Sequence, residues 1–210
     1  MKTFDLAFEI TGIIAFAISG ALVGIRRRMD IFGVMVLGLI TAVGGGIMRD
    51  VILGITPPAA FCNPVYAGVA LAVSILTYII FTSRLWGTGG KGFSFAVTLA
   101  DAIGLALFTV HGAGTAITAG YGDNIFLVLF LGVLTGVGGG ILRDVLSARR
   151  PVIFCEEIYA VAAFIGAVIY VCIYKYLGVG TSSLICCTVI VTLRMLSVHF
   201  GWRLPKANRK

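Results

Sequence analysis

The sequence predicts an all-α integral membrane protein, and three observations support this fold class. Of the 210 residues, 59% are hydrophobic and only 12% are charged, whereas soluble domains carry about 25% charged residues. The hydrophobic residues form long continuous runs of the length that crosses a bilayer as a helix, about 20 residues. These runs do not alternate between polar and apolar residues, as the strands of a membrane barrel would. We therefore expect residues 1–210 to form a single transmembrane domain.

Seven apolar runs predict seven transmembrane helices, at residues 6–25, 32–55, 65–83, 94–115, 125–147, 158–175 and 181–200. The first run is not typical of a cleaved signal peptide, because Asp5 and Glu9 lie where basic residues are expected. The connections are short and contain Gly, Pro and Asn, the residues that turns favour. We therefore expect no linker that would separate soluble domains.

The basic residues at the helix ends predict the orientation. They concentrate on one side of the predicted helices, which the positive-inside rule assigns to the cytoplasm. We therefore expect the amino terminus outside and the carboxyl terminus inside. The predicted inner residues are Arg26, Arg27, Arg28, Arg84, Lys91, Arg149, Arg150, Arg203, Lys206, Arg209 and Lys210, and the outer ones are Lys2 and Lys175.

The second and fifth helices contain the same unusual motif, three glycines followed shortly by Arg-Asp. Each glycine lowers helix propensity by about 1 kcal/mol relative to alanine, so each triplet predicts a kink or a short unwound stretch. Backbone groups freed in this way must be buried in protein or line a wet cavity. Close helix packing, which small residues allow, is the alternative. The motif residues are Gly44, Gly45, Gly46, Arg49 and Asp50, and Gly138, Gly139, Gly140, Arg143 and Asp144.

The two motifs belong to an internal repeat of three helices, over about 4–83 and 94–175, with the seventh helix (about 181–200) outside it. Glu9 aligns with Asp101, and Tyr66 aligns with Tyr159. Because three is an odd number, the second copy is inverted relative to the first. Inverted repeats with matching interrupted helices point to a transport pathway near the midplane of the membrane. We interpret the triplets as elements of that pathway.

The Arg-Asp pairs lie inside predicted membrane helices, where charged groups face the protein interior and pair with one another. Adjacent residues on a helix point about 100° apart. We therefore expect the arginine and the aspartate of each motif to pair between repeats, or with Glu9, Asp101 or Arg194, in preference to each other. A purely structural salt bridge is the alternative.

Four further polar residues have more than one interpretation. Glu9 and Asp101 lie near the starts of their helices, which fits either a helix end near water or a vestibule that attracts cations. We expect His111 to be a buried, hydrogen-bonded histidine, with a proton sensor as the alternative. Arg194 either anchors the seventh helix or neutralises an acid.

Several function classes are excluded by residue types and spacing. The five cysteines show no metal-ligand spacing, so we expect no metal site. We find no nucleophile-base constellation and therefore no enzyme. The net charge of +7 does not indicate a nucleic-acid partner, because the topology rule accounts for the basic residues.

The doubled GGGIMRD and GGGILRD motif, the layout of two repeats plus one helix and the Glu9–Asp101 match resemble the TRIC family of trimeric intracellular cation channels, in its prokaryotic form. The resemblance covers essentially the whole chain. It implies a homotrimer in the inner membrane of a prokaryote, with a potassium-permeable pore in each protomer lined by the first, second, fourth and fifth helices. It implies no cofactor other than permeant K⁺ or Na⁺, with membrane lipid as a further partner. The lysine-containing lipid motif of animal members has no clear equivalent.

A transporter is the second hypothesis. The same bacterial domain family carries a glycine-transporter label. Half-helix ends beside Arg and Asp could bind the carboxylate and the ammonium of a zwitterionic substrate. Inverted repeats often occur in transporters that work by alternating access. The sequence therefore also allows a secondary transporter for glycine or another small zwitterion.

Overall fold

The computed structural model describes residues 2–82, 90–155 and 158–202, with the side chains of 2–5 and 155 left aside. Arg84, Arg203, Lys206, Arg209 and Lys210, which contributed to the predicted orientation, lie outside the described residues. Within these ranges all regular secondary structure is helical, which confirms the predicted fold class. The elements are α1 (Lys2–Arg26), α2 (Ile31–Ile52), α3 (Ala59–Cys62), α4 (Pro64–Thr82), α5 (Lys91–Ala116) with a π turn (Ile117–Tyr121), α6 (Ile125–Leu146), α7 (Val152–Cys155) and α8 (Tyr159–Phe200).

Six of these helices in the described part of the chain are long and apolar enough to cross a membrane. α8 covers both the sixth and the seventh predicted spans. Its 42 residues would extend on the order of 60 Å if straight, about twice the hydrocarbon thickness. The backbone is non-helical at Gly178 (φ 76°, ψ 163°). A Cβ built on Gly166 would lie 2.3 Å from Ile190, so α8 folds back at Gly178 into two packed arms.

Polar side chains determine where the two motif helices begin. The Asp30 carboxylate accepts a hydrogen bond from the Gly33 N–H at 2.7 Å, and the Asn124 side chain accepts one from the Leu127 N–H at 3.1 Å. Each side chain satisfies one of the N–H groups that a first helical turn leaves without an internal partner. α2 and α6 therefore start at matching positions of the two repeats.

α2 ends at Ile52, before the predicted boundary at residue 55, because Gly54 takes a left-handed conformation (φ 72°). The four-residue helices α3 and α7, which the sequence analysis did not predict, follow the two motif helices. The fourth predicted helix is longer than expected, since the π turn continues it as far as Tyr121, with a positive φ at Gly120. The helix ends therefore differ from the predicted ones in both repeats, earlier in α2 and later in α5.

Both glycine triplets lie in uninterrupted helix, because α2 and α6 remain helical from end to end. The predicted unwound stretch is therefore wrong, while a bend of the helix axis stays a prediction. The glycines allow close approach. A Cβ on Gly45 would lie 2.1 Å from the Thr135 carbonyl oxygen, and a Cβ on Gly139 would lie 2.2 Å from the Thr41 carbonyl oxygen. α2 and α6 therefore cross backbone to backbone at the triplets, as the packing alternative expects.

The interior of the helix bundle contains charged residues as well as apolar ones. Apolar clusters surround Phe16, Phe108 and Tyr159. The arginine and aspartate of both motifs are buried, with residue exposures between 1% and 4%. Charged groups are rarely buried without partners, so their contacts define the candidate site.

Candidate functional site

Two charge clusters flank the triplet crossing, one for each repeat. The first cluster consists of Glu9, Arg49, Asp50, Tyr66 and His111. The second cluster consists of Ser19, Asp101, Arg143, Asp144 and Tyr159. The arginine and aspartate of each cluster lie one to two turns beyond the triplet of the same helix, α2 or α6. The acid lies on α1 or α5, and the tyrosine lies on α4 or α8. The sequence repeat is therefore matched by a repeat of residue types in space.

Arg49 of the first cluster binds the aspartate next to it. Its Nε donates to Asp50 Oδ1 at 2.8 Å, and its Nη2 lies 2.7 Å from the same oxygen. The expectation that adjacent residues would not pair is therefore wrong. The long arginine side chain curls back along its own helix, which overcomes the 100° angle between neighbouring positions.

Arg143 of the second cluster also binds its neighbour, with Nε donating to Asp144 Oδ1 at 2.9 Å. In addition, its Nη1 pairs with Asp101 on α5. Ser19 of α1 contacts both partners: it accepts a hydrogen bond from Arg143 at 2.5 Å, and it donates to Asp101 at 3.4 Å. The second cluster therefore connects α1, α5 and α6.

The two aspartates also hold the chain that follows each motif helix. Asp50 Oδ2 accepts a hydrogen bond from the Ala59 N–H at 2.9 Å, and Asp144 Oδ2 accepts one from the Val152 N–H at 2.8 Å. These N–H groups open α3 and α7. Each aspartate therefore uses one oxygen for its arginine and the other to position a short helix, and Asp144 Oδ1 also lies 3.5 Å from Arg149 Nε.

The acid of the first cluster has different partners from the acid of the second. The Tyr66 hydroxyl donates to Glu9 Oε2 at 2.6 Å, and His111 Nε2 lies 3.7 Å from Glu9 Oε1. His111 aligns with Ser19, so each acid contacts the same position of the opposite repeat. The described contacts of Glu9 include no ion pair with Arg49, although Asp101 makes one with Arg143.

Tyr159 of the second cluster is 1% exposed, and its hydroxyl has no hydrogen-bond partner among the described residues. The guanidinium carbon of Arg194 lies 4.9 Å from the centre of its ring. This cation–π contact places Arg194 beside the second cluster. The contact joins the two arms of α8, since Tyr159 lies on the first arm and Arg194 on the second.

The third glycine of each triplet faces its cluster. A Cβ on Gly46 would have Arg49 Nη2, at 3.8 Å, as its nearest neighbour. A Cβ on Gly140 would lie 2.8 Å from the Tyr159 hydroxyl and 3.7 Å from Arg143 Nη2. Gly46 also borders a cavity of about 20 Å³, together with Glu9, Arg49 and Tyr66. That volume is enough for about one water molecule, so the site is narrow in this conformation.

The predicted site residues fall into three groups by position. Gly44, Gly45, Gly138 and Gly139 lie in the helix crossing. Glu9, Gly46, Arg49, Asp50 and His111 lie in or beside the first cluster, and Asp101, Gly140, Arg143, Asp144 and Arg194 lie in or beside the second. Asp101 was expected near a helix end. It lies well inside α5 at 4% exposure, because Arg143 and Ser19 stabilise its carboxylate there.

Sequence reasoning did not assign Ser19, Tyr66 or Tyr159 to the site. The alignment of the repeats carried a signal for both tyrosines, since they correspond to each other. No comparable signal marked Ser19, because its counterpart is a histidine. A larger cavity of about 290 Å³ adjoins the first cluster at His111, and Thr115, Tyr170 and Ser183 also border it.

The glycine transporter family matches this chain over residues 6–82 and 98–175. The UPF0126 membrane protein YvgT of Bacillus subtilis is 39% identical over 203 residues, which is 95% of each chain. The UPF0126 inner membrane protein YadS of Escherichia coli is 38% identical over 201 residues, which is 94% of this chain and 93% of that protein.

Solved structures also resemble this fold. A prokaryotic TRIC channel crystallised in 0.5 M KCl superposes with a TM-score of 0.88 and 36% identity, covering 97% of this chain and 100% of that one. The TRIC trimeric intracellular cation channel orthologue from Rhodobacter sphaeroides has a TM-score of 0.86 and 32% identity, over 95% and 100% of the two chains.

Proposed function

The chain belongs to the glycine transporter family of membrane proteins, which includes the UPF0126 proteins and the TRIC channels, and on this premise we propose that it is a channel for monovalent cations. Potassium is the proposed physiological ion. The observation that carries the proposal is the pair of buried charge clusters on either side of the triplet crossing. Ionisable residues inside a membrane protein mark ion pathways when they face the bundle interior.

The charge balance of the two clusters supports a preference for cations. The first cluster contains two carboxylates, Glu9 and Asp50, and one arginine, so it carries a net negative charge when both carboxylates are ionised. In the second cluster Arg149, whose Nε lies 3.5 Å from Asp144 Oδ1, and Arg194 on Tyr159 add to Arg143 and offset the two carboxylates. A cation therefore meets a net negative environment at the first cluster.

The helix arrangement suggests the course of the pathway. We place it between α1, α2, α5 and α6, past Gly46 on one side of the crossing and Gly140 on the other. These two glycines face the clusters, while the other four pack in the crossing. Ion selectivity then depends on the charge and the width of the pathway, since neither repeat contains a TVGYG-type carbonyl filter.

Assembly, orientation and location are parts of the same proposal. A homotrimer with one pore in each protomer is consistent with the trimeric channel of Rhodobacter sphaeroides, which shares the fold. The basic residues favour an amino terminus outside and a carboxyl terminus in the cytoplasm. An inner membrane location is consistent with the label of the Escherichia coli relative.

Glycine transport is the second candidate, and the description of the family is the observation that favours it. The narrow cavity at Gly46 and its acid–arginine surroundings contain the charges that a zwitterion needs. A carrier binds its substrate at a saturable site and moves it through alternating conformations. The two functions therefore differ in kinetics as well as in substrate.

The test is a current measurement on the purified full-length protein in a planar bilayer with asymmetric potassium chloride. We expect discrete unitary current steps. Their reversal potential should lie close to the equilibrium potential of potassium and away from that of chloride. Bilayers with detergent alone are the control. Absence of unitary steps, together with saturable glycine uptake into liposomes that hold the same preparation, would overturn the channel in favour of the carrier.

A further inference from the structure

The two clusters differ in the partner that each acid selects, although their residue types correspond. Glu9 binds the phenol of Tyr66. Asp101 binds Arg143 and Ser19, while the phenol of Tyr159 remains buried without a hydrogen-bond partner among the described residues. A buried hydroxyl without a partner is unfavourable, so the second cluster contains an unused donor.

The unused donor lies close to the acid–arginine pair. A single point, the ideal Cβ position on Gly140, is 2.8 Å from the Tyr159 hydroxyl and 3.7 Å from Arg143 Nη2. Arg143 holds Asp101 through the other terminal nitrogen of the same guanidinium. The phenol therefore lies beside the guanidinium that holds the Asp101 carboxylate.

We propose that Tyr66 and Tyr159 are positioning residues of the ion pathway, and that each offers the acid of its own repeat an alternative to the arginine. The first repeat is held in the tyrosine-bound arrangement and the second in the arginine-bound arrangement. This inference rests on the proposed channel function. It assigns the two tyrosines, which sequence reasoning did not place in the site, to control of the pathway.

The two arrangements have different mechanical consequences. In the second cluster, Ser19, Asp101 and Arg143 connect α1, α5 and α6, three of the four helices proposed to line the pathway. In the first cluster Glu9 is held by Tyr66 of α4, which lies outside those four, and His111 of α5 lies 3.7 Å from it. Arg49 binds Asp50 on its own helix, so no described arginine links the helices on this side. The cavity at Gly46 lies on this first side. The arginine-bound arrangement therefore closes its half of the pathway, and the tyrosine-bound arrangement opens it.

Side-chain length accounts for the present asymmetry. Glu9 is one methylene longer than Asp101, and the longer side chain reaches the tyrosine of its repeat. Transfer of Asp101 from Arg143 to Tyr159 gives the second repeat the arrangement that the first already has. Arg143 retains Asp144 throughout, so the buried guanidinium keeps one carboxylate partner.

The first experiment measures hydrogen bonding directly and needs no ion conduction. Infrared spectra of protein with ¹³C-ring-labelled tyrosine are recorded for wild type, Tyr66→Phe and Tyr159→Phe, so that the differences isolate the phenol C–O band of each residue. We expect the Tyr66 band at the position of a phenol that donates to a carboxylate, and the Tyr159 band at that of a free phenol. In Asp101→Glu the Tyr159 band shifts to the Tyr66 position. A Tyr159 band that stays in place in folded Asp101→Glu protein refutes the exchange.

The second experiment separates gating from conduction in single-channel recordings. We expect Tyr159→Phe to lower the open probability about tenfold, since it removes the hydrogen bond of the open arrangement, while the unitary conductance stays at the wild-type value. Tyr78→Phe, in a partly buried tyrosine of the apolar cluster around Phe93, is the matched control and leaves both quantities unchanged. An unchanged open probability in Tyr159→Phe contradicts the proposal. If wild type gives no unitary currents, the channel function fails, and the infrared bands alone decide whether the acid exchanges partners.

Discussion

Arg143 forms an ion pair with Asp101 that joins α6 to α5 inside the helix bundle, and the corresponding Arg49 binds Asp50 alone among the described acids. The pair is buried, with side-chain exposures of 2% and 6%. A buried charge that loses its partner is strongly destabilising. The second cluster should therefore contribute more to stability through its arginine than the first.

Arg143→Gln leaves the buried Asp101 carboxylate without a cation, while Asp144 keeps Arg149 at 3.5 Å, and it should lower the free energy of unfolding by about 3–5 kcal/mol. Thermal unfolding in detergent, followed by size-exclusion chromatography, measures the loss. Arg28→Gln, in the exposed turn after α1, is the control and should change stability by at most about 0.5 kcal/mol. A double variant with Asp101→Asn should recover part of the loss, since it removes one unpaired charge. Equal effects of Arg143→Gln and Arg28→Gln would contradict the importance of the pair.

Gly45→Ala should destabilise the α2–α6 crossing by about 1–3 kcal/mol through overpacking. The new methyl group would lie 2.1 Å from the Thr135 carbonyl oxygen, and helix backbones cannot move apart without disturbing the neighbouring contacts. Gly68→Ala is the matched control, because a Cβ on Gly68 meets no atom within 4 Å and alanine favours the helix by about 1 kcal/mol. Melting temperatures of the two variants should therefore shift in opposite directions. A shift in the same direction for both would show that the crossing tolerates a wider spacing.

Gly46→Leu should reduce the unitary conductance without unfolding the protein, because Gly46 borders the cavity of the first cluster and the nearest atom to its Cβ position is Arg49 Nη2, the end of a flexible side chain, at 3.8 Å. The leucine side chain occupies the narrow space that a partly hydrated cation needs. Gly68→Leu adds the same side chain at a position away from both clusters and should leave the conductance unchanged. Single-channel recording of folded preparations gives the comparison. Wild-type conductance in Gly46→Leu would remove this glycine from the pathway.

Gly178→Ala should prevent α8 from folding back at its present position. The φ and ψ of Gly178 (76° and 163°) fall in a region that only glycine adopts readily, and other residues pay about 1–3 kcal/mol there. The second arm carries Arg194, so its displacement also removes the cation–π contact with Tyr159. Protease sensitivity of the region around residue 178, compared with Gly68→Ala, reports the change. A variant as resistant as wild type would indicate that the break is relaxed elsewhere in the same arm.

The elements that depend on local composition were well predicted. The apolar runs located the long helices, because a membrane helix must satisfy its backbone within itself and cover itself with apolar side chains. The repeat also followed from the sequence, since the motifs that begin at Gly44 and Gly138 are identical except for Met48 and Leu142. Burial of Arg49 and Arg143 followed from the apolar residues on both sides of them.

The role of the triplets was predicted less well, for a physical reason. Glycine weakens an isolated helix, and this effect alone favours unwinding at Gly45 and Gly139. A partner helix at close range reverses the balance, because only glycine allows the Thr135 and Thr41 carbonyls to approach so closely. Propensity is a property of one segment, whereas packing is a property of two.

What the sequence determined by itself is the membrane fold class, the long helices, the repeat and the burial of the motif charges, because each follows from a local run of residues or from the comparison of two such runs. The burial of Asp101 was not among them. Only the tertiary structure decided which charges pair. Arg143 binds Asp101 and Ser19 across sequence separations of 42 and 124 residues, and Tyr66 binds Glu9 across 57. Such contacts depend on how each helix is rotated and how closely it crosses its neighbours. The choice of partners is therefore made when the helices pack, since hydrogen bonds and ion pairs weaken steeply when the donor–acceptor distance or angle changes by a few tenths of an ångström or a few tens of degrees.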